Sequence, residues 1–127
     1  MSGVMAVIKT LGLVAHDACK PVLLDWVGRH RDKLERLELY ATGTTGARLK
    51  QRFRDLAVTA LKSGPLGGDQ QLGAMIAEGR LEALIFFTDA MSPQPHDVDV
   101  KALTRLAVLY DIPLALNRAS AEAIIRR

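Results

Sequence analysis

The run Ala83-Leu-Ile-Phe-Phe-Thr88 limits the folds open to this chain more than any other stretch. It is apolar without alternation, so a strand built from it has no face to give to water. Such a strand must be covered on both sides, as in parallel sheets flanked by helices. The remaining sequence supplies the partners in alternation. Residues 11–15 (Leu-Gly-Leu-Val-Ala) read as a strand that ends at His16-Asp17. Pro21 then suits the first turn of a helix, where its missing N–H would lack a partner anyway. Leu23, Val27, His30 and Leu34 continue at helical spacing. Residues 38–41 form a second strand, followed by the turn Thr42-Gly43-Thr44-Thr45-Gly46 and a short helix with Leu49 and Phe53 on one face. Residues 57–61 are a third strand. The turn Ser63-Gly-Pro-Leu-Gly-Gly-Asp-Gln-Gln71 leads from it into a helix carrying Leu72 and Ile76, which Gly79 closes as a left-handed cap. After residues 83–88, a proline-punctuated loop from Met91 to His96 precedes an amphipathic helix through Val100, Leu103, Leu106 and Tyr110. Residues 113–117 are the last strand, and Ala123 and Ile124 belong to the final helix.

Strand–helix alternation repeated in this way predicts one α/β domain over residues 1–127. The expected architecture is a three-layer, Rossmann- or flavodoxin-like sandwich: a five-stranded parallel sheet with helices on both faces. Right-handed crossovers put every strand-to-helix turn on one edge of that sheet, where open parallel sheets bind ligands. The polar clusters of the chain all fall on that edge: His16-Asp17-Lys20, the Thr/Gly turn, Ser63-Gly64 with Asp69, and Asp89 with His96 and Asp99.

Composition narrows the partners. Lys and Arg number 17 against 14 Asp and Glu, a net charge of +3 that favours small anions and is too scattered for nucleic acid. Aromatic residues make up only 5% of the chain, too few for the stacking platforms of single-strand binders. A single cysteine, Cys19, excludes an internal disulfide and fits a reducing cytoplasm. Residues 1–10 show no basic region followed by a long apolar run, and no stretch has the ~20 apolar residues needed to span a bilayer. The expectation is a soluble cytoplasmic protein without membrane or nucleic-acid partners.

Two readings attach to each polar cluster. Glycines in Thr42–Gly46 let successive N–H groups point into one concavity beside a helix start, which suits a phosphate; an ordinary Thr-capped turn uses the same residues. The stretch is not a P-loop, because the Gly-Lys-Ser/Thr ending is absent. Asp69 reads either as a helix cap or as a general base. His16 and His96 each precede a helix and are loop hydrogen-bonders or catalytic groups; Pro95 fixes the backbone before His96. Asp97 and Asp99 also suit a helix's first turn. Asp89, just beyond Phe86-Phe87, requires a partner or a task. No His-x-x-x-His or Cys-x-x-Cys spacing exists, so no metal site is expected.

Read together, the runs Leu-Val-Ala-His16-Asp17-x-x-Lys20, Tyr40-Ala-Thr-Gly-Thr-Thr-Gly46, Ser63-Gly-Pro-Leu-Gly-Gly-Asp-Gln-Gln71, Phe86-Phe-x-Asp89 and Pro95-His96-x-x-Asp99 resemble the methylglyoxal synthases, in order and over nearly the whole chain. The Gly-Gly-Asp-Gln-Gln and Pro-His-x-x-Asp pieces are the more diagnostic. The resemblance implies a cofactor-independent lyase that converts dihydroxyacetone phosphate to methylglyoxal and inorganic phosphate, with phosphate also an inhibitor. It implies Asp69 as the catalytic base and His96 as the group steadying the substrate oxygens, with Asp89 and Asp99 completing the polar wall. Lys20, Thr42, Gly43, Thr44, Thr45, Ser63 and Gly64 would hold the phosphate, with His16 also touching the ligand. A homohexamer is implied as well.

Two departures from the family pattern are visible. Ala90 follows Asp89 where the family usually has proline, which predicts a looser loop there. Longer relatives send a C-terminal arginine to a neighbouring subunit's phosphate site, for which Arg126 and Arg127 are the candidates here. A regulatory metabolite-binding module shares the fold and the Thr/Gly turn but has no use for Asp69, His96 and Asp99. A phosphoryl-accepting receiver domain needs an Asp after the third strand and a Lys after the fifth; this chain has Lys62-Ser63 and Asn117-Arg118 there.

Overall fold

The computed structural model describes residues 8–91 and 100–126. Among these residues, β1 (Thr10–Ala15), β2 (Glu38–Thr42), β3 (Ala57–Leu61), β4 (Ala83–Phe87) and β5 (Leu114–Ala115) form one sheet in the order β3-β2-β1-β4-β5. Every neighbouring pair is parallel. The helices are α1 (Lys20–Arg29), α2 (Arg31–Leu34), α3 (Gly43–Arg52), α4 (Gly68–Ala77), α5 (Val100–Leu109) and α6 (Arg118–Ile125). The apolar run behaves as its pattern requires, since every residue of β4 is buried.

Side-chain alternation divides the interior into two cores. Leu11, Leu13, Leu39, Ala41 and Ile85 face Leu23, Val27, Leu49 and Ile124, so α1, α3 and α6 cover one side. Val14, Leu84 and Phe86 face Leu72, Met75, Ile76 and Leu103, so α4 and α5 cover the other. Each large apolar side chain taken wholly from water contributes about 1.5–3 kcal/mol, which makes these two layers the source of the sheet's rigidity. The strand order places β1 beside β4, and the helices after these two strands lie on opposite faces. This is the sheet's topological switch point, whose carboxyl-end side is the usual ligand site of such sheets.

The structure departs from the sequence pattern in three places. The predicted Thr42–Gly46 turn is instead the end of β2 and the first turn of α3: Thr42 is the N-cap and Gly43 already has its place in the helix. The predicted helix through Leu34 breaks at His30, which leaves helical geometry at φ −117°, ψ 22°, and α2 restarts beyond it. Leu23, Val27 and Leu34 are all buried nonetheless. The last strand is shorter than residues 113–117 because Asn117 is taken by the next helix, where its side chain accepts the Ser120 N–H at 2.9 Å. Asn117→Ala should lower stability by about 1 kcal/mol, seen as a lower melting temperature, because it removes the side-chain cap that Asn117 gives α6. Gly79, at φ 75°, ends α4 as expected. Arg80 donates to the Met75 carbonyl and Gly79 to that of Ile76, completing the left-handed cap. No helix among the described residues is long and apolar enough to cross a membrane.

Candidate active site

The carboxyl ends of β1, β2, β3 and β4 carry His16, Thr42, Ser63 and Asp89 respectively, each at or within two residues of its strand's end. Three joints hold these ends together. The first links β1 to β4. The His16 N–H donates to the Phe87 carbonyl at 3.1 Å, and the Asp89 N–H donates to His16 Nδ1 at 2.9 Å. A backbone N–H can only donate, so Nδ1 is the acceptor and the neutral ring carries its proton on Nε2. His16 is buried, with its ring edge-on to Phe86 at 5.2 Å, and its orientation is fixed from two sides. The Asp89 carboxylate accepts the Met91 N–H at 3.1 Å, so this residue is held at two atoms despite Ala90.

The second joint is an anion-ready corner. Lys20 Nζ lies 2.9 Å from Thr44 Oγ1 and 2.8 Å from Asp17 Oδ1, with its side chain only 21% exposed. The ammonium thus sits at the amino end of α3, where unpaired N–H groups and the helix dipole already favour negative charge. No side chain caps that end. A cation beside a helix amino end is self-repelling unless an anion joins them, and Asp17 offsets only part of this. Thr42 and Thr45 are buried against the same turn.

The third joint fastens the end of β3 to α3 and to α4 with the turn before it. The Lys62 carbonyl accepts the Gly43 N–H at 3.2 Å, and the Ser63 carbonyl accepts the N–H groups of Leu66 and Gly68 at 3.0 and 2.8 Å. The Lys62 N–H donates to Gln71 Oε1 at 2.8 Å. Gly43, at φ 50°, lies so close to Ser63 that a Cβ would approach its Cα to 3.0 Å.

Asp69 stands in the first turn of α4. The N-cap is Gly67, and no side chain caps the helix. Asp69 Oδ1 is buried and accepts no hydrogen bond from the described residues. A capping aspartate would spend that oxygen on a helix N–H. Here Oδ1 makes no such bond among the described residues, and a buried polar atom in that state calls for a partner or a task.

The structure therefore brings together His16 with Asp89, Lys20 with Thr44, and Thr42-Gly43 with Ser63, and it sets Asp69 one residue from the Ser63–Gly68 joint. His96, Asp99 and Arg127 lie outside the described residues. Arg126 lies at the opposite edge of the sheet, near Lys9, Lys33 and Arg36. Three contributors were not singled out from the sequence as site residues: Asp17, which counters Lys20; Gln71, which ties β3 to α4; and Gly68, which admits the Lys62 carbonyl. For Gln71 and Gly68 the signal was present in the Gly-Gly-Asp-Gln-Gln run; for Asp17 it was the three-residue spacing to Lys20. Among the described residues, no group of His, Cys, Asp and Glu is arranged to hold a metal.

This fold and this corner define a class. The sequence profile of the MGS-like domain matches residues 22–116. Within that class, the chain is 60% identical over 117 residues to the methylglyoxal synthase of Oleidesulfovibrio alaskensis, covering 92% of this chain and 80% of that protein. It is 58% identical over 122 residues to that of Rhizobium rhizogenes, covering 96% and 97%. The crystal structure of methylglyoxal synthase from Elizabethkingia anophelis superposes with a TM-score of 0.90 at 48% identity, over 94% of this chain and 78% of that one. The chain belongs to the methylglyoxal synthase family.

Proposed function

We infer that this single-domain chain is a lyase that turns dihydroxyacetone phosphate into methylglyoxal and inorganic phosphate. Family membership supports the activity, and one observation supports the chemistry: a buried Asp69 Oδ1 that makes no hydrogen bond among the described residues, on the same edge of the sheet as the anion-ready corner. In this reading Asp69 takes a proton from the hydroxyl-bearing carbon, and the electrons left behind form an enediolate. His96, Asp99 and Asp89 support its oxygens and relay protons. His16, donating from Nε2, contacts the same ligand. The enediolate then collapses with cleavage of the C–O bond to phosphate, which departs with the bonding pair. The enol left behind tautomerises to methylglyoxal. The reaction is internally redox-neutral and calls for no electron acceptor.

Elimination is fastest when the C–O bond stands perpendicular to the enediolate plane. Lys20, Thr42, Gly43, Thr44, Thr45, Ser63 and Gly64 hold the phosphate in that pose and lighten its charge, making it a better leaving group. Free phosphate occupies the same corner as product and inhibitor. The working protein is a cytoplasmic homohexamer.

Purified protein given dihydroxyacetone phosphate should release phosphate and methylglyoxal in equal amounts; absence of both across neutral pH would sink the assignment. Lys20→Met should raise KM and the Kd for phosphate by roughly 10- to 100-fold, the worth of a charge-assisted hydrogen bond, with a smaller change in kcat. Steady-state kinetics with phosphate as competitor separates the two effects.

A further inference from the structure

A cavity lies away from the site above. It opens at the amino-terminal edge of the sheet, where β1 begins, and measures about 420 Å³. Its floor is apolar: Leu11 is fully buried, and Ile8, Leu37, Ile124 and Ile125 pack beside it. Its rim is basic. Lys9, Lys33, Arg36 and Arg126 stand around the mouth with a single acid, Asp32. None of these four cations makes an ion pair among the described residues. Asp32 lies next to Arg31 in sequence and shares its field with that guanidinium. Glu82, near Lys9, uses its Oε1 to accept the backbone N–H groups of Lys9 and Thr10 at 2.6 and 3.1 Å.

We propose that this cavity is a second ligand site, which takes a small anion with an apolar tail. The volume suits a small organic molecule, since such pockets run from about 300 to 1,000 Å³. An apolar floor selects a hydrocarbon body, and four like charges converging on one mouth select a carboxylate or a phosphate. Neither feature alone specifies the ligand: an alcohol leaves the cations uncompensated, and inorganic phosphate leaves the floor wet. The site is at the opposite edge of the sheet from Asp69 and shares no residue with the anion corner, so it binds independently of turnover.

Calorimetric titration with hexanoate, hexyl phosphate, hexanol and inorganic phosphate tests this on the intact protein. Hexanoate is expected to bind at one site per chain, and hexyl phosphate at two, one of them the catalytic corner. The double variant Lys33→Glu, Arg36→Glu should lose this hexanoate site, and one of the two hexyl phosphate sites, by tenfold or more, with kcat and KM unchanged. Loss confined to hexanoate assigns the carboxylate class, and loss confined to hexyl phosphate the phosphate class. Should the charge reversal lower the melting temperature, Lys33→Gln, Arg36→Gln provides the same comparison. Hexanol binding as tightly as hexanoate, identical affinities in the variants, or no heat from either six-carbon anion at roughly millimolar concentration would overturn the proposal.

Discussion

Asp69→Asn is expected to lower kcat by about a thousandfold or more while the Kd for inorganic phosphate stays within about twofold. Asparagine keeps the shape of the side chain and removes its capacity to accept a proton, so the proton-abstraction step has no base. Because the loss falls on an interaction made only in the transition state, kcat and kcat/KM should fall together. Stability provides a second readout with the opposite sign. Asp69 Oδ1 is buried without a hydrogen-bond partner among the described residues, an arrangement that costs the folded state free energy. Replacing the carboxylate by a neutral amide should leave the melting temperature unchanged or raise it, as at other sites where function opposes stability. A variant that keeps normal turnover removes Asp69 from the role of base. One that loses turnover together with phosphate binding and stability makes Asp69 a structural residue instead.

The sheet was largely legible in the sequence because burial on two faces leaves no freedom in residue choice. Residues 83–87 are apolar throughout, and all are buried. The same logic located β1, and the Leu23, Val27 and Leu34 spacing identified buried positions even across the break at His30. What the pattern missed depends on tertiary context. Thr42–Gly46 carries turn residues, yet the backbone of Lys62 receives the Gly43 N–H and lets the helix begin there. No local propensity records a bond to a strand some twenty residues away. Of the candidate site, His16, Thr42, Ser63 and Asp89 were legible as polar groups on one edge, since topology alone sends every strand-to-helix connection to the same side. The pairings were not: the Asp89 N–H on His16 Nδ1 and the Lys62 N–H on Gln71 Oε1 join residues whose separation in sequence gives no clue to their contact.

Gly68→Ala tests whether that last joint positions the chemistry. A Cβ at residue 68 would lie 1.9 Å from the Lys62 carbonyl oxygen, 2.9 Å from its carbon and 3.0 Å from the Ser63 oxygen. All three are backbone atoms, already engaged by Gly43 and by the turn after Ser63, so no side chain can rotate away. Relief requires the amino end of α4 to withdraw by about 1 Å from β3. That movement breaks the Gly68 N–H bond to Ser63 and pulls Gln71 from the Lys62 N–H. The expected cost is about 3 kcal/mol or more, a fall in melting temperature of roughly 10 °C or more. Asp69 moves with its neighbour, and if it is the proposed base, displacement on that scale is expected to reduce kcat by about a hundredfold even in the folded fraction. Gly73→Ala in the same helix is the control. Its Cβ would meet only the tip of Leu106 at 3.0 Å, a flexible side chain that can give way, so both effects should be far smaller. Equal losses in the two variants would mean that α4 is simply intolerant of side chains. A Gly68→Ala protein with unchanged melting temperature and turnover would show that the contact between Gly68 and the Lys62 carbonyl does not set the position of Asp69.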